Sequence, residues 1–267
     1  MAEQLRHVAD LVDEGGAQDN TAVFDRLWGL LGEVRAKVDA RLPTTPDASV
    51  AEFNELDTES GQKVRFQASS SDEVDWLVHS WIGQPEAGFS NMHLTAWLGP
   101  HVDVPHLGLA WGTIPDVWFY CDLIPRSDLW TDLPSLDRYY EPWNERWLDV
   151  REQHPELKVF TSRSLYVRQG LSEVAYVYTS RRSDGIIELM RDLVHERVDA
   201  WLGWLDGAEP VPADRRAALA ERDLAIRRNI AERDPANVLG VRFFGEETTE
   251  RLVRSLWGGD RVNPRPS

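Results

Sequence analysis

The stretch FSNMHLTAWLGPHVDVPHLGLAWGTIPDVWFYCDLIP, residues 89–125, decides the fold. It divides into three runs of aliphatic, aromatic and β-branched residues, separated by Gly-Pro and Ile-Pro-Asp breaks, the pattern of an antiparallel meander. The middle run, HVDVPHLGLAWG, carries His101, Asp103 and His106 where a buried strand would have apolar residues. Such a trio suggests either a metal site or proton transfer to a bound molecule. Alternate residues of a strand share a face, so His101 and Asp103 point one way and His106 the other. Metal ligands have to converge, and this spacing separates them.

Outward from the meander, KVRFQASS, residues 63–70, alternates like a further strand. SDEVDWLVHSWIG, residues 71–83, fits either a strand or a short helix. Upstream, residues 20–42 place Val23, Leu27, Leu30, Leu31, Val34 and Val38 at helical spacing behind Asn20 or Thr21 as cap, and PTTPDAS ends that helix. Downstream, residues 135–155 are helical in character, whereas SLYVRQG and EVAYVYTS, residues 164–170 and 173–180, read as short strands. A long amphipathic helix follows, with Ile187, Met190, Val194, Val198, Trp201 and Leu205 on one stripe, and two more helices span residues 212–234 and 246–259. Strands grouped centrally with helices at both ends predict a layered α+β sandwich in one domain.

Composition narrows the function. The formal net charge of −16 over 267 residues argues against nucleic acid and anionic membranes, both of which need a cationic surface. No apolar run approaches the roughly 18 residues of a membrane span. The N-terminus shows neither signal-peptide nor transit-peptide character, which makes cytoplasmic the default location. Cys121 is the single cysteine, so an internal disulfide and multi-cysteine metal sites are excluded. The phosphate-binding glycine loops, the HExxH pair and the GxSxG elbow are all absent. Twelve tryptophans provide the flat faces that a conjugated ligand would use.

Proton transfer by His and Asp in an aromatic pocket is the remaining chemistry. His93 lies on the strand before Asp103, and the two share a face only if an odd number of residues connects the strands. A five-residue loop centred on Leu98 would set them opposite; a three-residue loop centred on Pro100 would keep the face but part them by about 13 Å.

Read together, NMHLTAW, VDVPHLG, CDLIPRSDL, RYYE, SRSLYVR and ERDLAIRRNIAERDPANVLGVRFFG resemble the ferredoxin-dependent bilin reductase superfamily, and most of all its red chlorophyll catabolite reductase-like branch. The resemblance implies a three-layer α/β/α sandwich holding a linear tetrapyrrole between a central antiparallel sheet and the C-terminal helices. It implies no bound flavin, nicotinamide or metal. Reduced ferredoxin would supply single electrons, and side chains would protonate the substrate radical. Carried onto this chain, the proton donors are Asp103 and His93, and the C-terminal acid that contacts substrate is Asp234, with Glu232 as its neighbour. Arg168 matches a propionate anchor, and Trp97, Trp111 and His106 are candidates for lining the pocket.

The chain also departs from the pattern. The chlorophyll catabolite branch has a glutamate within the strand matched by HLGLAWG, where this chain has Leu109 and Ala110. Some bilin reductases follow the C-terminal Asp with Lys; here Pro235 stands. An acidic ferredoxin meeting so acidic a protein requires a local arginine patch or a different donor. Two alternative readings are a tailoring enzyme for another flat conjugated substrate and a non-catalytic tetrapyrrole binder.

Overall fold

The computed structural model describes residues 5–16, 18–114 and 116–266. A short strand β1 (Leu5–Arg6) and helix α1 (Val8–Glu14) precede the long helix α2 (Thr21–Arg41), which the apolar spacing predicts. The chain then lays down β2 (Thr45–Pro46), β3 (Leu56–Asp57), β4 (Lys63–Ser70), β5 (Val74–Gln84), β6 (Phe89–Leu98), β7 (His106–Ile114) and β8 (Asp116–Ile124). The ambiguous segment after residue 71 is thus a strand. Helices α3 (Leu133–Tyr139) and α4 (Asn144–Gln153) lead to β9 (Lys158–Val159), β10 (Thr161–Ser162), α5 (Leu165–Gln169) and β11 (Tyr176–Ser180). Four helices close the chain: α6 (Asp184–Asp206), α7 (Ala213–Arg233), α8 (Asn237–Phe244) and α9 (Glu246–Trp257).

The main sheet runs β2-β4-β5-β6-β7-β8-β11-β9, with β3 on β4, and every pairing is antiparallel. β1 pairs separately, in parallel, with β10. Alternation divides the sheet's side chains between two layers. Leu77, Met92, Leu94, Leu109, Trp111 and Phe119 join Leu27, Leu31 and Val34 of α2 and Met190, Val194 and Trp201 of α6 in the larger core. Trp76, Val78, Trp97 and Ile124 face the other way, toward Ile226 and Ile230 of α7 and Leu252 of α9. This is the expected α+β arrangement, an α/β/α sandwich.

Buried indoles bind the layers together, since a buried N–H has to find an acceptor. Trp111 donates to the Leu27 carbonyl at 3.1 Å, Trp201 to Pro105 at 2.8 Å and Trp76 to Ser255 at 3.0 Å. The C-terminal tail is also tied to the sheet. Asp75 accepts from Arg227 of α7 at 2.7 Å, from Arg261, and from Arg265 at 3.2 Å. Asp47 accepts the Asn263 N–H at 2.8 Å.

SLYVRQG departs from expectation, for it forms the single helical turn of α5 and not a strand. Its β-branched and aromatic composition favours a strand. The turn packs against α7 and β10 and sets Tyr166 and Val167 on the cavity wall, and tertiary context overrides so weak a propensity.

Candidate functional site

The outer layer leaves the middle of the sheet uncovered, and there the side chains build a cavity. β6 contributes Asn91, His93, Thr95 and Trp97. The β6–β7 ladder sets His93 against Ala110 and Thr95 against Gly108, so β7 floors the cavity with small residues while Leu107 and Trp111 join the core beneath. Gly112 extends this small-residue row because nothing larger fits: a Cβ there would stand 1.9 Å from the Ser90 carbonyl oxygen. β8 adds Trp118, Tyr120 and Ile124, and β5 adds Val78 and Ile82. Tyr166 and Val167 of α5, Ile230 and Arg233 of α7, Asp234 at the end of α7 and Leu239 of α8 form the facing wall. The cavity is open on one side and has a volume of about 260 Å³, just below the usual range for small-molecule sites.

Two ionisable groups of opposite character meet this apolar, aromatic space. Burial pushes the His93 pKa down to about 4, so the ring is neutral near pH 7. No carboxylate flanks it in the sheet, where its neighbours are Ser80 and Ala110. Asn91 Nδ2 lies 3.2 Å from His93 Nε2; with the amide donating, the ring proton sits on Nδ1. Asp234 ends α7 and accepts the Ala236 N–H at 2.8 Å. It lines the cavity as an exposed residue, and desolvation by the protein packed around its carboxyl raises its pKa against the opposing pull of that hydrogen bond. Such a shift favours the protonated form, the one a general acid uses.

Matching the chain against protein families finds the red chlorophyll catabolite reductase model over residues 25–257. The chain belongs to that family. It is accordingly an oxidoreductase. The red chlorophyll catabolite reductase of Hordeum vulgare is 26% identical over 198 residues, covering 68% of this chain and 96% of the barley protein. The chloroplastic red chlorophyll catabolite reductase 1 of Oryza sativa subsp. japonica is 25% identical over 240 residues, covering 83% of this chain and 72% of its own. Among solved structures, phytochromobilin synthase from tomato, in complex with biliverdin, matches with a TM-score of 0.76 at 16% identity, covering 89% of this chain and 85% of that one. The likeness confirms the shared fold. The chloroplastic rice relative overturns the cytoplasmic default. No helix among the described residues is long and apolar enough to cross a membrane.

With the family in hand, the expected site residues divide into two groups. His93, Trp97 and Asp234 line the cavity. Asp103 does not: β6 ends at Leu98 and β7 begins at His106, so Asp103 lies exposed in the connection between them. The actual ladder is in register with neither connection considered from sequence, and His93 and Asp103 do not meet. Trp111 is in the core on the opposite face, held by α2. Arg168 is exposed on α5, where it donates to the Ser162 carbonyl at 2.7 Å, so it is no cavity anchor.

His106 is buried behind Trp97, their ring centres 4.8 Å apart, and its Nδ1 accepts the Leu98 N–H at 3.0 Å. Its Nε2 lies 3.4 Å from Asp223 of α7. Asp223 also accepts from Arg126 at 2.6 and 3.0 Å, and Arg126 in turn donates to the carbonyls of Gly99 and Val102. Burial raises the Asp223 pKa, but His106 and Arg126 outweigh it and bring it down to about 2; burial sets His106 itself at about 4. Pieces of three family-like stretches, VDVPHLG, CDLIPRSDL and ERDLAIR, therefore meet in an ion-pair lock behind the cavity wall. Among the described residues no three His, Cys, Asp or Glu side chains converge as a metal site.

Tyr120, Trp118, Asn91 and Arg233 are cavity residues that the sequence reading passes over. The alternation of VWFYCD, where Trp118 and Tyr120 share one face and Phe119 and Cys121 the other, is the signal that marks two of them.

Proposed function

We propose that the cavity binds a linear tetrapyrrole and that the enzyme reduces it with electrons delivered one at a time by a ferredoxin-type carrier. Each double bond reduced consumes two electrons and two protons. Asp234 donates a proton from its carboxyl, and His93 holds and relays the second through its neutral ring. Trp97, Trp118 and Tyr120 supply flat surfaces for the conjugated system. The single observation that carries this reading is the joint placement of neutral His93 and of Asp234, whose pKa is raised, on one aromatic-lined cavity between sheet and C-terminal helices. The relatives named for red chlorophyll catabolite reduction, and the tomato protein bound to biliverdin, support the ligand class.

Leu109 or Ala110 stands where the chlorophyll catabolite branch is expected to carry a glutamate, which favours another linear tetrapyrrole, such as a heme-derived bilin, over red chlorophyll catabolite itself. Titration of the protein with biliverdin, followed by its visible absorption band, tests the reading. A saturable spectral change, and its conversion to a reduced bilin spectrum under a one-electron donor, are expected. An unperturbed band sinks the proposal.

A further inference from the structure

Resting on that reading, we propose that the surface formed by β9, β10, α5 and the adjoining β1 and α8 is the docking face for an acidic one-electron carrier protein. The chain has 45 acidic residues against 29 basic ones, yet residues 157–172 contain Lys158, Arg163 and Arg168 and no acid. All three cations are exposed, and none forms an ion pair among the described residues. Neighbouring acids are largely neutralised: Glu14 by Arg6, Asp13 by Arg242 and Glu232 by Arg228. Asp10 turns back onto the His7 N–H of its own helix. Glu156 and Glu173 flank the stretch; Glu156 lies 3.2 Å from His154, Glu173 has no ion pair among the described residues, and the three cations outnumber these two acids.

The same face is apolar at its centre. Leu165 and Tyr166 of α5 are 64% and 58% exposed, and Leu5 of β1 and Val238 of α8 exceed half. Exposed aliphatic side chains ringed by charge mark an interaction surface. Its position suits electron delivery, because Tyr166 belongs to the cavity wall and Arg233, over the Tyr166 ring at 5.4 Å, belongs to both. A carrier seated there stands one side chain away from the ligand. Each docking event oxidises one carrier by one electron, so two events serve each double bond reduced. Opposite charge at the contact also resolves how so acidic an enzyme attracts an acidic donor: steering depends on the local patch within a Debye length, about 10 Å at 0.1 M salt.

The test measures binding of a plant-type ferredoxin by calorimetry and, separately, bilin reduction driven either by that ferredoxin or by reduced methyl viologen. The proposal expects wild-type binding at low ionic strength that fades with salt. It expects about tenfold weaker ferredoxin binding in Arg163→Glu/Arg168→Glu, with the methyl viologen rate and the biliverdin spectrum unchanged. Lys158→Glu/Arg163→Glu repeats the test without touching the Arg168 hydrogen bond. Equal ferredoxin binding by wild type and both variants, or no binding by wild type, overturns the docking face. So does a wild-type dimer in sedimentation that Leu165→Glu disperses, since the face then belongs to a second copy. Failure of methyl viologen to drive bilin reduction in wild type refutes the tetrapyrrole reading instead, and leaves the binding result to judge the face.

Discussion

His93 lies directly across the β6–β7 ladder from Ala110. Side chains so paired have Cβ atoms about 5 Å apart, so the residue opposite decides the charge of the imidazole. With a methyl group there, burial alone acts and the ring titrates at about 4. Ala110→Asp places a carboxylate beside the ring, and an adjacent opposite charge favours the imidazolium. The His93 pKa should rise by about 1–2 units, read from its ring proton shifts across a pH series. An unmoved pKa would mean that the two positions do not communicate.

Asp234→Asn should retain bilin binding and lower turnover by about a hundredfold or more, the usual scale of a lost general acid. Because the carboxyl acts when protonated and its pKa is raised, wild-type rate should fall as pH rises through that pKa. The Asn variant should lose this limb of the profile. A pH-rate curve that keeps it assigns the proton to another group.

Asp223→Asn should cost about 3–5 kcal/mol in urea unfolding, because Arg126 is left as an uncompensated buried charge. Linkage gives the same pair a pH signature. The folded pKa of about 2 lies below the unfolded value near 3.9, so this stabilisation is complete above the unfolded pKa and is lost as pH falls from there toward 2. Wild type should show that acid-side loss, and Asp223→Asn should show less of it.

Gly112→Ala should destabilise the protein strongly even though it adds one methyl group. The obstacle is the Ser90 main chain, which cannot rotate aside as a side chain would. A loss of about 1–3 kcal/mol is expected, measured by thermal unfolding. The result to set against it is a variant as stable as wild type, which would mean that β6 and β7 can part without cost.

Much of this was legible in the sequence because it depended on period. The stripe of α2, the stripe of α6 and the alternating meander each predict an element that the structure contains. The same alternation brings His93 and Trp97 to the site. Asp103 was lost because its role depended on a connection length, and residues 99–105 form a loop that takes it out of the sheet altogether. Arg168 was lost because five residues of strand-favouring composition settled as a turn under contacts no local pattern reports. The Arg126–Asp223 pair joins residues 97 positions apart, and only the folded chain shows them as partners. Small residues on β7, Gly108, Ala110 and Gly112, were in plain view; their meaning as a cavity floor required knowing that Leu107, Leu109 and Trp111 occupy the other face.

The clasp between Asp75 and the tail has a practical reach beyond holding the chain's end. Asp75 gathers three guanidinium groups, two of them from Arg261 and Arg265, while the third, Arg227, also lines the cavity and lies 5.8 Å over Trp97. A cut after Gly258 would spare every cavity-lining side chain and still remove two-thirds of the positive charge that Asp75 balances. Arg227 would then have its carboxylate to itself, and the electrical potential at Trp97 would shift. Limited proteolysis at this remote terminus should therefore change the charge balance beside the pocket.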